Sequence, residues 1–432
     1  MKKILVNFSL VLGSLIVAFL VCEVVTRLIT TADADGQVTR GRRHLLPYRF
    51  PVEMNRQKVE HAMRLRDKAY IIDHPLLGWT IGPDRRSENN LYFSNSQGIR
   101  SEPREYSLQP EKGVLRIALF GDSFTHGDEV IFEHTWGKFL EDNLNANGVK
   151  TEVLNFGVPG YDIGQAYLRW KYQGKDYSPH VAVFGFQAEN IKRTVNIFRQ
   201  LYSRDTWLVF SKPRFILDSA GDLDLINSPV IPPLEVPNSL KNLPNSTLAA
   251  HEFWYNPDNY SYAWWTNSRF LRLLYTALAD RQGRPGGRRD HRPGINVWDL
   301  DGEAVQVSLA ILRRFVDEVR SQGAIPVILH IPKKKVVELT EQGEEAGHYY
   351  IFEQLERNGA EIADPVPAMA GGSRLYQHSH FSRRGSLIVA RVLAERMLQI
   401  LRERGLIREF PAEIVAGPDA GKLFEDDASN ND

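Results

Sequence analysis

Short apolar runs that end close to a glycine alternate with amphipathic stretches through the middle of this 432-residue chain. The runs 115–120, 153–156 and 181–184 each predict a buried strand, because they are short, apolar and bounded by turn residues. Helical patterns near 134–147 and 163–173 lie between them. Strands that alternate with helices require crossover connections, so the pattern predicts an α/β fold with a mainly parallel sheet covered on both faces.

The alternation resumes in the C-terminal third of the chain. Apolar residues at helical spacing predict a helix over about 305–319, and the run 327–331 predicts a strand that stops at Pro332. A last helix is predicted over about 382–403, where Ser382 is placed to cap it. In parallel sheets ligands bind at the carboxyl ends of the strands, so the functional residues are expected there.

The N-terminus carries an uncharged apolar run, residues 4–22, directly after Lys2 and Lys3. This run is long enough to cross a hydrocarbon core of roughly 30 Å. A signal peptide usually has a shorter apolar core of about 7–15 residues and a small-residue cleavage site. Residues 1–30 are therefore predicted to form an uncleaved membrane anchor. The one cysteine, Cys22, lies in this run, so the rest of the chain holds no disulfide.

The other segments are predicted from their composition. Residues 31–112 are polar with scattered prolines, and we expect an extension that packs on a main domain of 113–410. Within that domain, 197–257 is rich in proline and asparagine and predicts an insertion that precedes a helical pattern near 260–280. Segment 281–296 predicts a mobile surface loop, and 411–432 a C-terminal tail with an acidic end.

Composition narrows the range of functions. With 43% hydrophobic and 25% charged residues, the chain is expected to be globular. Lysine plus arginine and aspartate plus glutamate number 53 each, so the excess of positive charge typical of nucleic-acid-binding proteins is absent from the sequence. No nucleic-acid partner is predicted, and the sequence identifies no protein partner.

Four residues at the predicted loops suggest a catalytic site. Gly121-Asp122-Ser123 follows the first strand and precedes a helix, so Ser123 is expected at the carboxyl edge of the sheet, where a base can activate its hydroxyl. Gly157 and Asn190 follow the second and third strands and can offer an N–H and a side-chain amide to an oxyanion. His380 precedes the last helix and is a candidate general base.

Each of these residues also has a simpler structural interpretation. A glycine such as Gly157 can serve a tight turn, and an asparagine such as Asn190 more often caps a backbone than holds a ligand. A histidine such as His380 can simply lie on the surface. All four lie at loops that follow a strand or precede a helix, in this order along the chain, which favours the catalytic interpretation.

With these motifs the chain resembles the SGNH/GDSL hydrolases from about residue 115 to residue 401. The resemblance implies a three-layer α/β/α sandwich of the flavodoxin-like type. It also implies that Ser123 is the nucleophile, that His380 is the base, and that the Ser123 N–H, Gly157 and Asn190 form the oxyanion hole.

The resemblance extends to a subgroup of membrane-anchored bacterial proteins. The anchor with Glu23 and Arg27 at its end, the segment 95–100, and the residues 160–168 carry this part of the resemblance. It implies a single-pass protein of the bacterial inner membrane with its catalytic domain in the periplasm or outside the cell. The substrate implied is an acyl ester, in the first instance an acetyl ester, of a cell-envelope carbohydrate.

The chain departs from the family at two positions. Ile191 stands directly after the oxyanion asparagine, where the family usually has aspartate, and His378 and Gln377 stand where an aspartate usually precedes the base. An acid partner fixes the tautomer of the histidine and stabilises the imidazolium. Candidates for a third member of the triad are Asp364, Glu189 and His378. A Ser–His dyad, or an inactive relative of the family, is also open.

The sequence leaves two functions open and also predicts substrate contacts, no metal and no cofactor. The first is a serine esterase or O-acyltransferase, and the alternative is a catalytically inactive glycan-binding or scaffold protein of envelope polysaccharide assembly. Arg193 and Asn196, with Arg199, form a polar cluster after Asn190 that is predicted to bind substrate. The set of His126, His378 and His380 has no acidic partner at a fixed spacing, so no metal is predicted. No cofactor is predicted either.

Overall fold

The predicted apolar runs form one parallel sheet in the computed structural model, which describes residues 2–281 and 299–407. The strands of this sheet are β1 (Leu115–Phe120), β2 (Thr151–Asn155), β3 (Val181–Phe186), β4 (Ile325–His330) and β5 (Glu361–Ala363). They lie in the order β5-β4-β3-β1-β2, and all neighbouring pairs are parallel. The chain leaves β1 first toward β2 and then returns past it to β3, so the topological switch point lies between β1 and β3.

One face of the sheet packs against a pair of helices. Ile117 and Leu119 of β1 are buried in a cluster that includes apolar residues of the helices Trp136–Ala146 and Arg383–Glu403. The second of these helices begins where it was predicted to, because Ser382 Oγ accepts the N–H of Gly385 at 3.2 Å as an N-cap.

The opposite face of the sheet packs against a second pair of helices. The side chain of Phe120 points to this face, since side chains alternate along a strand. Its ring centroid lies 5.6 Å from that of Trp170 on the helix Ile163–Tyr172. It lies 6.2 Å from that of Phe315 on the helix Glu303–Ser321. Helices on both faces of a parallel sheet confirm the predicted three-layer α/β/α fold.

The sheet and its helices belong to one of two compact units, which comprises Leu65–Val195, Pro213–Val230 and the described part of Leu300–Asp432. Its other α-helices are short and lie mostly in loops after strands. They are Ser123–His126, Ile191–Thr194, Lys334–Glu341, Tyr349–Arg357 and Val366–Met369. Three antiparallel pairs of strands complete it: Ile71–His74 with Gly78–Ile81, Arg214–Leu217 with Leu223–Ile226, and Tyr376–Gln377 with His380–Phe381.

The second unit comprises Met1–Arg64, Asn196–Lys212 and Ile231–Asp299, of which residue 1 and residues 282–298 are not described. Its α-helices are Lys2–Leu28, Val52–Leu65, Arg199–Tyr202, Val236–Lys241 and Arg269–Arg281. Its strands form a small antiparallel sheet of Thr31–Ala32, Val38–Arg40 and Arg43–His44. The predicted loop 281–296, apart from Arg281, and the predicted tail 411–432 lie outside the described residues.

The N-terminal helix, Lys2–Leu28, is the longest helix among the described residues. Its 27 residues correspond to about 40 Å at the usual rise per residue. The segment Lys3–Leu28 is long and apolar enough to cross a membrane, and its most apolar stretch has no buried residues. By length and composition it meets the requirement for a membrane-spanning segment.

Candidate active site

Ser123 begins a four-residue helix directly after the first strand of the sheet. Asp122 is the N-cap of this helix, since its Oδ1 accepts the N–H of Phe124 at 2.9 Å. Gly127 ends the helix in the left-handed conformation at φ +83°, where its N–H donates to the carbonyl of Ser123. Ser123 is thus held half-buried at the carboxyl end of β1, beside the switch point.

Gly157 allows the loop after β2 to approach the nucleophile helix closely. A Cβ at this position would lie 2.4 Å from the backbone nitrogen of His126, which no real side chain tolerates. Asn155 joins the two segments, because its Nδ2 donates to the carbonyl of Thr125 at 2.7 Å. The Gly157 N–H, predicted as an oxyanion donor, donates to Asn155 Oδ1 at 3.0 Å in this structure.

The structure brings His380 against Ser123. The Nε2 atom of the imidazole lies 2.8 Å from Ser123 Oγ, which is within hydrogen-bond reach for proton transfer. The ring is held by Phe124, whose ring centroid is 4.8 Å away, and by the strand pair on which His380 lies. Only 17% of the His380 side chain is exposed, so its orientation is restricted.

A carboxylate that was not predicted from the sequence completes this arrangement. Glu129 Oε1 lies 2.9 Å from the other ring nitrogen of His380, Nδ1. The hydroxyl of Ser379 also donates to Oε1, at 3.2 Å. A carboxylate accepts hydrogen bonds only, so Nδ1 carries the proton and Nε2 presents its lone pair to the Ser123 hydroxyl.

Glu129 reaches His380 through an unusual backbone conformation. Its φ is +72°, in the left-handed region, which for a residue other than glycine costs roughly 1–2 kcal/mol. The Glu129 N–H donates to the hydroxyl of Tyr92 at 2.9 Å, which helps to hold the backbone in place. Strain of this kind persists where the surroundings determine the conformation, and it is concentrated at functional sites.

The environment favours the charged form of Glu129. Partial burial alone would raise the pKa of the carboxyl group. The hydrogen bond and charge of His380, together with the hydrogen bond from Ser379, outweigh burial and leave the pKa below its ordinary value. The group is therefore an ionised acceptor at neutral pH, as a partner for an imidazolium must be.

The three predicted third members lie elsewhere or at the edge of the site. Asp364 Oδ1 lies 2.8 Å from Nδ1 of the buried His330, and its Oδ2 accepts the hydroxyl of Tyr349 at 2.8 Å. Glu189 is paired with Lys333. His378 is 81% exposed, and its Nδ1 lies 3.8 Å from Glu129 Oε2. Of these candidates and Glu129, it is Glu129 that hydrogen-bonds to His380.

Asn190 lies next to the nucleophile turn. It ends a 3-10 turn after β3, and its Nδ2 donates to Asp122 Oδ2 at 2.9 Å. Asn190 is buried, and an amide nitrogen has a second hydrogen left to donate. Arg193 is on the same side, with Nη1 4.0 Å from Asp122 Oδ2. Asn196, which was grouped with Arg193 in the sequence, belongs to the other unit and is buried there.

A second hydrogen-bonded chain ends at Asp128, the residue that precedes Glu129. The hydroxyl of Tyr70 lies 2.8 Å from His126 Nε2, and His126 Nδ1 lies 2.5 Å from Asp128 Oδ1. Burial lowers the pKa of His126 well below its ordinary value. Burial also raises the pKa of Asp128 to about 7, although the positive charges of His380 and Arg100 oppose it. Within residues 2–281 and 299–407, no group of three metal-binding side chains is arranged to hold an ion.

The sequence around Glu129 offers a signal that is not specific to a catalytic acid. Asp128 and Glu129 form an acidic pair right after Gly127, at the end of the nucleophile motif. Such a pair usually indicates a solvated loop. Here the pair directly follows Gly127, whose N–H donates to the carbonyl of Ser123. The pair therefore lies close to Ser123 along the chain.

Fold and site together define an α/β/α protein with a serine–histidine–glutamate hydrogen-bonded chain at the switch point of its sheet. No protein-family model and no curated relative matches the sequence. The chain is similar to solved structures, including the psychrotrophic esterase EstA from a Pseudoalteromonas species. In that comparison the identity is 11%, the coverage is 67% of this chain and 99% of that one, and the TM-score is 0.34.

Two further solved structures are similar at the same level. One is the acetylxylan esterase Axe2 from Geobacillus stearothermophilus, with 12% identity, coverage of 69% of this chain and 97% of that one, and a TM-score of 0.33. The other is a lipase/acylhydrolase from Enterococcus faecalis, with 14% identity, coverage of 67% and 96%, and a TM-score of 0.32.

Proposed function

We propose that this chain is a serine-dependent ester hydrolase or O-acyltransferase of the SGNH/GDSL type. The observation that carries the proposal is the continuous chain from Ser123 Oγ through both nitrogens of His380 to Glu129, with links of 2.8 and 2.9 Å. This order of hydroxyl, imidazole and carboxylate is what activates a serine nucleophile.

In the proposed first half-reaction, Ser123 Oγ attacks the carbonyl carbon of an ester. His380 Nε2 takes the hydroxyl proton, and Glu129 stabilises the imidazolium that forms. The tetrahedral intermediate collapses as the ester bond breaks, and His380 returns the proton to the leaving alcohol. The product is an acyl group bound to Ser123.

The negative charge that develops on the carbonyl oxygen needs fixed donors. The Ser123 N–H is the first of its helix, where a backbone N–H has no partner within the helix. The second hydrogen of the Asn190 amide is a further donor, since the first is held by Asp122. Gly157 stays a proposed donor. Its N–H already donates to Asn155 Oδ1, so the oxyanion would have to share this hydrogen with Asn155.

In the second half-reaction His380 takes a proton from the acceptor, the acceptor oxygen attacks the acyl carbon, and the proton returns to Ser123 Oγ as the bond to the serine breaks. Water as acceptor releases a carboxylic acid and defines an esterase, whereas a sugar hydroxyl receives the acyl group and defines a transferase. We propose an acyl ester of a cell-envelope carbohydrate as the substrate, with Arg193 kept as a proposed substrate contact. We also propose that residues 4–22 anchor the chain in the bacterial inner membrane, with the site on the periplasmic or outer side.

The proposed chemistry needs no metal and no cofactor, because both half-reactions move only a proton and an acyl group. The alternative of a non-catalytic glycan-binding or scaffold protein was based on the missing acid. Glu129 in hydrogen-bond contact with His380 removes the main argument for that alternative.

The test is active-site labelling of the full chain in detergent with a fluorophosphonate probe, beside hydrolysis of p-nitrophenyl acetate. Wild type is expected to label and to turn over, while Ser123→Ala does neither and His380→Ala retains little of either. Ser379→Ala is the matched control for labelling, because its hydroxyl also lies near His380, 3.2 Å from Nδ1. Labelling that survives in Ser123→Ala and is lost in Ser379→Ala would overturn the assignment of the nucleophile.

A second assay separates hydrolase from transferase. Acetate release and acetyl transfer are measured with the same acyl donor while an oligosaccharide acceptor is added. Transfer that rises at the expense of acetate release defines a transferase. A product that stays acetate at all acceptor concentrations defines an esterase.

A further inference from the structure

The N-terminal helix is fixed to the helix Arg269–Arg281 by a partly buried cap. The carboxylate of Glu23 accepts the N–H of Arg269 at 3.2 Å and the N–H of Phe270 at 3.0 Å. It also accepts the hydroxyl of Ser268 at 2.7 Å. These first-turn N–H groups have no partner inside their own helix, so Glu23 supplies what an N-cap residue normally supplies.

A residue of the second helix also caps the end of the N-terminal helix. The guanidinium of Arg269 donates to the carbonyl of Thr30 at 2.9 Å, just beyond the end of the N-terminal helix. One helical turn before Glu23, the ring of Phe19 packs edge to face against the ring of Phe270, with centroids 5.9 Å apart. Two capping contacts and one aromatic contact fix the start of the helix Arg269–Arg281 beside residues 19–30.

This contact fixes where the helix Arg269–Arg281 lies relative to the proposed membrane. Glu23 directly follows the apolar run 4–22, and Phe19 lies one turn inside that run. If the run crosses a bilayer, its outer end is the boundary between hydrocarbon and headgroups. The start of the helix Arg269–Arg281 is therefore level with that boundary.

The middle of the helix Arg269–Arg281 buries polar side chains and exposes leucines. Its buried residues include Arg272 and Thr276, and the guanidinium of Arg272 donates to the carbonyls of Leu45 and Pro47 at 2.9 and 2.7 Å. Its exposed residues include Leu274 and Leu278, which are 47% and 46% exposed. A surface helix in water normally has the reverse arrangement.

Two exposed aromatic side chains lie in the segment that leads into this helix. Tyr262 is 64% exposed and Trp264 is 83% exposed, in the segment that leads into the helix. Several large exposed aromatic and leucine side chains within residues 262–278 indicate an interaction surface. Tyrosine and tryptophan in particular are enriched at the interface between membrane and water.

We propose that Tyr262, Trp264, Leu274 and Leu278 form a bilayer-contact face, seated in the outer interface of the same membrane that residues 4–22 cross. The occupant is lipid because Leu274 and Leu278 follow Phe270 at four-residue spacing on one side of the helix, and Phe270 packs against Phe19 of the anchor. The bilayer holds the whole unit against its surface, as interfacial helices do. This inference rests on the proposed anchor and is independent of the proposed chemistry at Ser123.

The test uses the full chain in vesicles of phosphatidylethanolamine and phosphatidylglycerol. Single nitroxide labels are placed by Leu274→Cys and Leu278→Cys in a Cys22→Ser background, and accessibility to oxygen and to a nickel chelate is measured. Glu60→Cys, at an exposed polar position in the same unit, gives the value for water, and Leu15→Cys gives the value for lipid. The labels at 274 and 278 are expected to follow the Leu15 label.

Other results overturn the inference in distinguishable ways. Labels at 274 and 278 that follow Glu60 while the Leu15 label reports lipid mean that the anchor holds and the face lies in water. Labels shielded from both reagents mean that protein, a second copy or a partner, covers the face. A Leu15 label in water overturns the anchor and the inference together, whereas loss of fluorophosphonate labelling affects only the catalytic proposal.

A second measurement keeps the native cysteine. Tryptophan fluorescence is recorded in vesicles that contain bromine-labelled lipids, which quench rings close to the acyl chains. Trp264→Phe is expected to reduce the quenched fraction, and Trp207→Phe, at a site 60% exposed, serves as the matched control. A quenched fraction that is unchanged in Trp264→Phe contradicts the bilayer-contact face.

Discussion

The carboxylate of Glu129 lies 2.9 Å from Nδ1 of His380, a residue 251 positions later in the chain. The contact places the acid partner of the proposed base in the loop that follows the nucleophile rather than beside the histidine. It explains how an aspartate can be missing before His380 without loss of a carboxylate from the site.

Replacement of Glu129 tests that assignment. Glu129→Gln keeps the size of the side chain but offers an amide that can stabilise the wrong tautomer of His380. By comparison with other triads we expect kcat to fall by about 10² to 10⁴. Steady-state hydrolysis of p-nitrophenyl acetate gives the value. Asp364→Asn is the matched control with kcat near wild type, and the reverse ranking of the two variants would show that Asp364 is the acid.

Asn190 is expected to act on the rate rather than on the fold. Asn190→Ala removes a proposed oxyanion donor, and loss of one such donor lowers kcat by about 10² to 10³ with little change in KM. Stopped-flow acylation of Ser123 is the measurement. If Asn190→Ala lowers only the melting temperature and leaves acylation intact, the residue serves to position Asp122.

Gly185 is expected to be required for packing against Thr125. A Cβ at Gly185 would lie 2.3 Å from Thr125 Oγ1, and its next nearest contact is at 3.4 Å. Gly185→Ala should therefore destabilise the fold by about 1–3 kcal/mol, as overpacked cores are. Thr125→Ala should restore most of this loss, whereas Thr125→Ser, which keeps the oxygen, should not. Urea unfolding of the single and double variants measures the coupling.

Asp128 is expected to make the stability depend on pH. Burial raises its pKa to about 7 in the folded state, so the folded chain binds this proton more tightly than the unfolded chain. The stability it contributes is full below pH 4 and is lost as the pH rises through about 7. Melting temperatures of wild type and Asp128→Asn between pH 4 and pH 8 provide the test. The variant should lose less stability over this range, and parallel curves would contradict the prediction.

The position of Ser123 was predictable because it depends on local sequence. A short apolar run followed by glycine specifies a strand and a turn, and parallel strands leave their ends at one edge. Asn190 was predicted by the same argument, whereas His380 was predicted from its place before the last helix. The strand Glu361–Ala363 was missed, because three residues are too few for a periodic pattern.

Glu129 could not be assigned in the same way. Its contact with His380 depends on a left-handed backbone at φ +72° and on a hairpin from the far end of the chain. Neither feature has a sequence pattern of its own, since the left-handed region usually selects glycine or asparagine. Asp364 was a reasonable candidate by its place after a strand, but its carboxylate is occupied by His330 and Tyr349.

The short distance along the chain between Ser123 and Glu129 affects how the proposed triad can be found in a sequence. The two residues are six positions apart, within the single segment 121–129. One short segment therefore carries two members of the proposed triad, and the hairpin before the last helix carries the third. A sequence search for an acid just before the histidine would miss the carboxylate that hydrogen-bonds to His380 in this structure.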